Sequence, residues 1–172
     1  MSGTTDTARE IYTTGLRNQH AVENQAIELL ERQVGRLEHY PEMAERMRQH
    51  IEESREQARR IEELLAGVGT SHSAVKDTVM SFVGNMAAMM HAPAGDEVIK
   101  NTLANFAFEH YEMAAYKSLL TLADLTGHNA ALTALKQSLA EEEAMARWID
   151  EHLADTTRKF VSRKEAGQTA GR

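Results

Sequence analysis

The sequence predicts an all-α protein built as a four-helix bundle, with two antiparallel hairpins joined by one long crossover. Three observations carry this. Glu, Ala, Leu, Met and Arg abound, while Pro occurs only at Pro41 and Pro93 and aromatic residues make up 5% of the chain; that composition favours helices. Four long segments carry apolar residues at 3-4 spacing, the stripe of a helix packed on a core. The first and last pairs of segments are separated by very short links, the middle pair by a long one.

Taken in order, helix A starts near the cap candidates Thr4, Thr5 and Asp6 and runs to about His39. Pro41, suited to a first helical turn, opens helix B, which ends at the glycines of AGVG, 66–69. A connection follows from Thr70 to Asp96, within which SAVKDTVMSFVGNMAAMMHA reads as a shorter Met-rich helix closed by HAPAG. Helix C spans about Glu97 to Leu125 and stops at Gly127; helix D spans about Asn129 to Thr157. The expected organisation is one domain, 1–157, with the crossover at about 67–96, and a basic, polar tail, 158–172, that frays. Short links force antiparallel neighbours, whereas the long B–C connection can run the length of the bundle at ~1.5 Å per helical residue. Two hairpins joined this way form the ferritin-like arrangement.

Composition narrows the function. At 172 residues the chain has room for a substantial core. The absence of Cys excludes disulfides, thiolate metal sites and iron–sulfur clusters. A net charge of −7 argues against a nucleic-acid partner. No apolar run approaches a membrane span and the N-terminus shows no signal-peptide pattern, so a soluble, cytoplasmic protein with no membrane partner is expected.

The apolar seams turn polar at mid-length. Helix A carries Glu23 between Leu16 and Ile27. Helix B carries His50 with Glu53 beside it, then Ser54 and Gln57. Helix C carries Glu109 and Glu112, and helix D carries Glu142. Glu112 lies fifteen residues before Gly127 and Glu142 fifteen after; Glu23 lies seventeen before Tyr40 and Glu53 thirteen after. In antiparallel hairpins such arms place the glutamates in one layer. One seam glutamate alone is ordinarily a snorkelling or ion-paired residue. Five of them with no Lys or Arg on the seams need another positive charge, because a buried unpaired carboxylate costs several kcal/mol or takes a proton. Two cations would supply it, and carboxylate oxygens with an imidazole suit iron or manganese. The expected metal ligands are Glu23, His50, Glu53, Glu109, Glu112 and Glu142. His20, one turn from Glu23, is either a ligand or a core residue. Tyr116 is either a hydrogen-bond donor to a ligand carboxylate or an ordinary core tyrosine. Ser54 and Gln57 are polar seam residues able to order the site, and Glu141 and Glu143 are expected in solvent.

At these residues the sequence resembles the YciE/YciF family of ferritin-like bacterial proteins, over roughly residues 9 to 157. The resemblance rests on VENQ around Glu23, HIEES with Gln57 after it, FEHYEMAAYKSLLTLADLTGH, and the EEE run in helix D. It implies a ferritin-like bundle, a dinuclear metal site and an association with stress responses, with the ligand role falling on Glu23, His50, Glu53, Glu109, Glu112 and Glu142. The chain departs from the E-x-x-H pattern common in ferritins and rubrerythrins: three residues after Glu52 stands Arg55, and three after Glu142 stands Met145. It also has Ala146 where the family often has an acid, so helix D offers fewer ligands. The expected function is binding of a dinuclear iron or manganese centre with oxidase or peroxide-consuming chemistry. The alternative is a non-catalytic structural protein whose polar layer is vestigial. In either case the Met-rich crossover adds apolar surface, and a homodimer is expected.

Overall fold

A computed structural model describes residues 2–70 and 95–171. Four long helices, α1 (Ser2–Val34), α2 (Pro41–Gly67), α3 (Glu97–Leu125) and α4 (Leu132–Glu165), carry the fold, with a 3-10 turn (Asn129–Ala131) leading into α4. The expected crossover helix lies outside the described residues.

Tyr40 precedes α2 and Pro41 occupies its first turn, where a missing N–H costs nothing. At the far end of α3, Gly127 takes φ +74°. His128 N–H then bonds back to Ala123 O at 2.8 Å, the closure that a left-handed residue after a helix permits. Two boundaries differ from expectation. α1 ends at Val34, before Gly35, so the first link is longer than the sequence suggested. α4 continues to Glu165, past Thr157, and the tail beyond it is held: the Tyr40 hydroxyl donates to Ala170 O at 2.9 Å, and Ala170 is buried. The basic composition of the tail concealed this anchor, because it rests on a carbonyl rather than a side chain.

Cross-helix contacts set the topology. Along α1 and α2, Glu31 meets Arg55 and His20 meets Glu62, so the two run antiparallel. Along α1 and α3, Gln33 meets Asn105 and Glu23 meets Tyr116, again antiparallel. Along α2 and α4, His50 meets Glu142 and Arg60 meets Ser138. The helices therefore stand in the ring order α1, α2, α4, α3, with α2 and α3 parallel across the diagonal. That is the two-hairpin, crossover-linked bundle.

The core is divided. One apolar cluster gathers Leu30, Tyr40, Met43, Met47, Ile51, Val98, Met145 and Ile149. The other gathers Tyr12, Leu16, Ile61, Leu65, Tyr116, Leu119 and Leu135. Between them, at mid-bundle, lies a layer of buried polar residues: Glu23, His50, Ser54, Gln57, Glu109, Glu112 and Glu142, all 0 to 2% exposed.

Candidate metal centre

Each member of the layer is placed by helical period. On α3, Glu109 and Glu112 are three residues apart and share a face; Tyr116 follows one turn later. On α2, the buried positions run Met47, His50, Ser54, Gln57, Ile61. Glu23 on α1 and Glu142 on α4 complete the ring of four helices.

The layer forms two overlapping groups. Ligand-type atoms of His50, Glu109 and Glu142 lie within 4.8 Å of one another, as do those of Glu23, Glu112 and Glu142. Glu142 belongs to both. His50 Nε2 stands 3.1 Å from Glu109 Oε2 and 3.5 Å from Glu142 Oε2. Neither approach has hydrogen-bond geometry, and Nε2, Glu109 Oε2, both Glu142 oxygens, Glu23 Oε2 and Glu112 Oε2 are buried without a hydrogen-bond partner. Buried polar atoms are rarely left so. Six unsatisfied lone-pair atoms converging in one layer are what a pair of cations would satisfy, so the residues present fit such a group.

The remaining atoms of these side chains are held in place. Gln19 Nε2 donates to Glu23 Oε1 at 2.8 Å and to Glu112 Oε1 at 3.4 Å. The Tyr116 hydroxyl donates to Glu23 Oε1 at 2.5 Å. His50 Nδ1 donates to Glu53 Oε2 at 2.9 Å, which turns Nε2 towards the layer. Each carboxylate of Glu23 and Glu112 thus has one oxygen fixed and one unmet.

Electrostatics set these side chains against one another. Burial, opposed by the Tyr116 and Gln19 hydrogen bonds, pushes Glu23 up to about 7. Burial and then the charge of Glu142 push Glu112 well above the carboxylate range; burial and then the charge of Glu109 do the same to Glu142. Burial also tends to raise Glu109, but the neighbouring His50 outweighs it and holds Glu109 low. For His50, burial works against the charged ring, and Glu109, Glu53 and Glu142 together overcome it and raise its pKa.

Glu53 is the one expected ligand outside both groups. Its oxygens are taken by Arg46 Nη1 at 3.0 Å, Gln49 Nε2 at 2.8 Å and His50 Nδ1. It lies three residues from His50 and next to Ser54, and at 3.6 residues per turn it is Ser54 that faces the axis. Burial resists its ionisation, but His50 and Arg46 prevail and lower Glu53 to about 2. His20 is also outside the groups, with Nε2 2.8 Å from Glu62 Oε1. Glu141 is not in solvent as expected: Arg60 grips both of its oxygens at 2.7 and 2.9 Å, and Gln57 Nε2 donates to it at 2.9 Å. Gln19 was missed by the sequence reading. Its signal was its position four residues before Glu23, the spacing at which a helical side chain can reach back to a buried carboxylate. Gln19 also borders a groove of about 330 Å³ between α1 and α3, with Gly15, Tyr111, Ala115 and Ser118.

Residues 7–162 match the family described as Domain of unknown function (DUF892). The chain belongs to this family. Among curated DUF892 relatives, Protein YciF of Escherichia coli (strain K12) is 27% identical over 169 residues, covering 92% of this chain and 95% of that one. Among solved structures, a protein from Xanthomonas campestris pv. campestris superposes with a TM-score of 0.77 at 27% identity, covering 92% of this chain and 99% of that one. The E. coli stress protein YciF superposes with a TM-score of 0.75 at 20% identity, covering 88% and 98%. The resemblance to the YciE/YciF family read from EHYE and its companion segments therefore holds over the whole DUF892 domain. Among the described residues, no helix is long and apolar enough to cross a membrane.

Proposed function

We propose that this DUF892 protein holds two transition-metal ions of one kind, iron or alternatively manganese, at the mid-bundle layer. The observation that carries the reading is the convergence of unpartnered, buried atoms from all four helices on two groups that share Glu142. One ion would take His50, Glu109 and Glu142; the other would take Glu23, Glu112 and Glu142. Bound there in the reduced state, such a pair would give one electron per ion to dioxygen or peroxide, and turnover would need an external reductant to restore it. The chain's own contribution is positional. Glu53 orients the His50 ring, Gln19 and Tyr116 fix one oxygen each of Glu112 and Glu23, and the flanking apolar clusters exclude bulk water. YciF carries the description of a stress protein, and we extend a role in stress response, in the cytoplasm, to this chain. A homodimer completes the proposal; light scattering at micromolar concentration that returned only monomer would remove that part.

The test is elemental analysis of protein loaded with ferrous or manganous ion, with thermal melting alongside. Two ions per chain and a raised Tm are expected, since a ligand bound by the folded state alone stabilises it. Neither uptake nor stabilisation would leave a structural role for the bundle.

A further inference from the structure

Resting on the metal-centre reading, the geometry points to a subsite on α2, made by Ser54 Oγ and Gln57 Oε1, that receives a small O–H ligand of the water or hydrogen peroxide class beside the second ion. The two groups of metal-ligating atoms are unequal. The first draws on α2 through His50; the second, Glu23, Glu112 and Glu142, draws nothing from α2. Helix register locates what α2 presents there instead. α2 and α3 run parallel and His50 faces Glu109, so Ser54, one turn after His50, is level with Glu112 at the start of the next turn. From the side of α4, Glu142 meets His50 and Glu141 meets Gln57, which brackets Ser54 at the same height.

Both side chains are 0% exposed, and Ser54 Oγ and Gln57 Oε1 have no hydrogen-bond partner. The Ser54 hydroxyl does not even bond back to its own helix, the usual refuge of a helical serine. The amide of Gln57 has its orientation settled, because Nε2 donates to the Glu141 carboxylate, which can only accept. The oxygen is therefore the atom left over. Arg60 and Gln57 together pin Glu141, so the row is rigid.

The pair offers one group that donates or accepts and one that only accepts. A ligand that satisfies both must itself carry an O–H and a lone pair. Water and hydrogen peroxide do. A carboxylate or a bulky organic molecule would leave the Gln57 oxygen unmet, at the cost of a buried orphan acceptor. A small oxygen species is thus the chemical class the subsite selects, and organic substrates are refused at this position.

The test uses iron-loaded protein, oxidised in air, titrated with azide, a small anion that accepts from Ser54 but cannot donate to Gln57 and so probes the Ser54 half of the subsite alone, read by the azide-to-iron absorption band. Ser54→Ala should leave iron stoichiometry unchanged and weaken azide binding by about tenfold, the loss of one charge-assisted hydrogen bond. Its metal-free Tm should not fall, because an unsatisfied hydroxyl is being removed; a packing serine would show the opposite. A crystal structure of manganese-loaded protein provides the second measurement and should place one water on both Ser54 Oγ and Gln57 Oε1. Azide affinity of Ser54→Ala within twofold of the parent, or a loaded structure with these atoms bonded only within the protein, overturns the inference and leaves the metal centre standing. A parent that takes up no ion overturns both.

Discussion

His50 and Glu53 form a hydrogen-bonded pair in which Nδ1 donates to Oε2 at 2.9 Å, and Arg46 and Gln49 hold the carboxylate from behind. Glu53 therefore acts on the layer through the imidazole. Glu53→Gln should weaken metal binding by about 10- to 100-fold, the usual effect of removing such an orienting carboxylate. His50→Ala should remove the first ion altogether. Competition against a chelator of known affinity separates the two.

The overlap at Glu142 predicts stoichiometry. Glu112→Gln leaves His50, Glu109 and Glu142 together, so about one ion per chain should remain. Glu142→Gln breaks both groups and should lose both ions. Neither variant should be less stable than the parent when metal-free near neutral pH, because an amide cannot ionise among the neighbouring buried carboxylates. Elemental analysis and thermal melts read both effects, and a Glu142→Gln protein that kept two ions would contradict the sharing.

Metal-free stability should fall as pH rises from about 5 to 8. Glu23 has an ordinary value of 4.5 and a folded value of about 7. A group raised on folding contributes stability below its unfolded pKa, and that contribution is lost as pH climbs through the folded one. Glu112 and Glu142, raised further, act in the same direction, as does His50 above its ordinary 6.5. Glu53, lowered to about 2, governs the acid side, where its contribution is lost as pH drops from 4.5 towards 2. With metal present the slope over pH 5 to 8 should reverse, since protons compete with the ions for the same oxygens. Melts in the presence and absence of a chelator across this range check the sign.

The tail is part of the fold. Tyr40→Phe removes the hydroxyl that donates to Ala170 O and leaves that buried carbonyl unpaired, which should cost about 1–3 kcal/mol. Denaturant unfolding should show the loss, and proteolysis after Glu165 should accelerate.

Much of this was legible in the sequence. The 3-4 stripes, Pro41 and Gly127 delimit the helices because local backbone chemistry does so wherever the chain goes. The mid-seam glutamates and His50 announce a polar layer, since seam position fixes burial and matched arm lengths fix height. What the sequence could not decide is which oxygens face inward. Glu53 and Ser54 are neighbours on one helix; the seam already put Ser54 on the axis side, but only the structure shows both Glu53 oxygens taken by Arg46, Gln49 and His50 instead of turned to the layer. Arg46 gains its role from Glu53 two turns along the same helix, and Gln19 and Arg60 reach Glu112 and Glu141 on neighbouring helices, contacts that only the distances reveal. The tertiary structure settled these points because a side chain's charge partner is set by rotation and approach of whole helices, which no local pattern records.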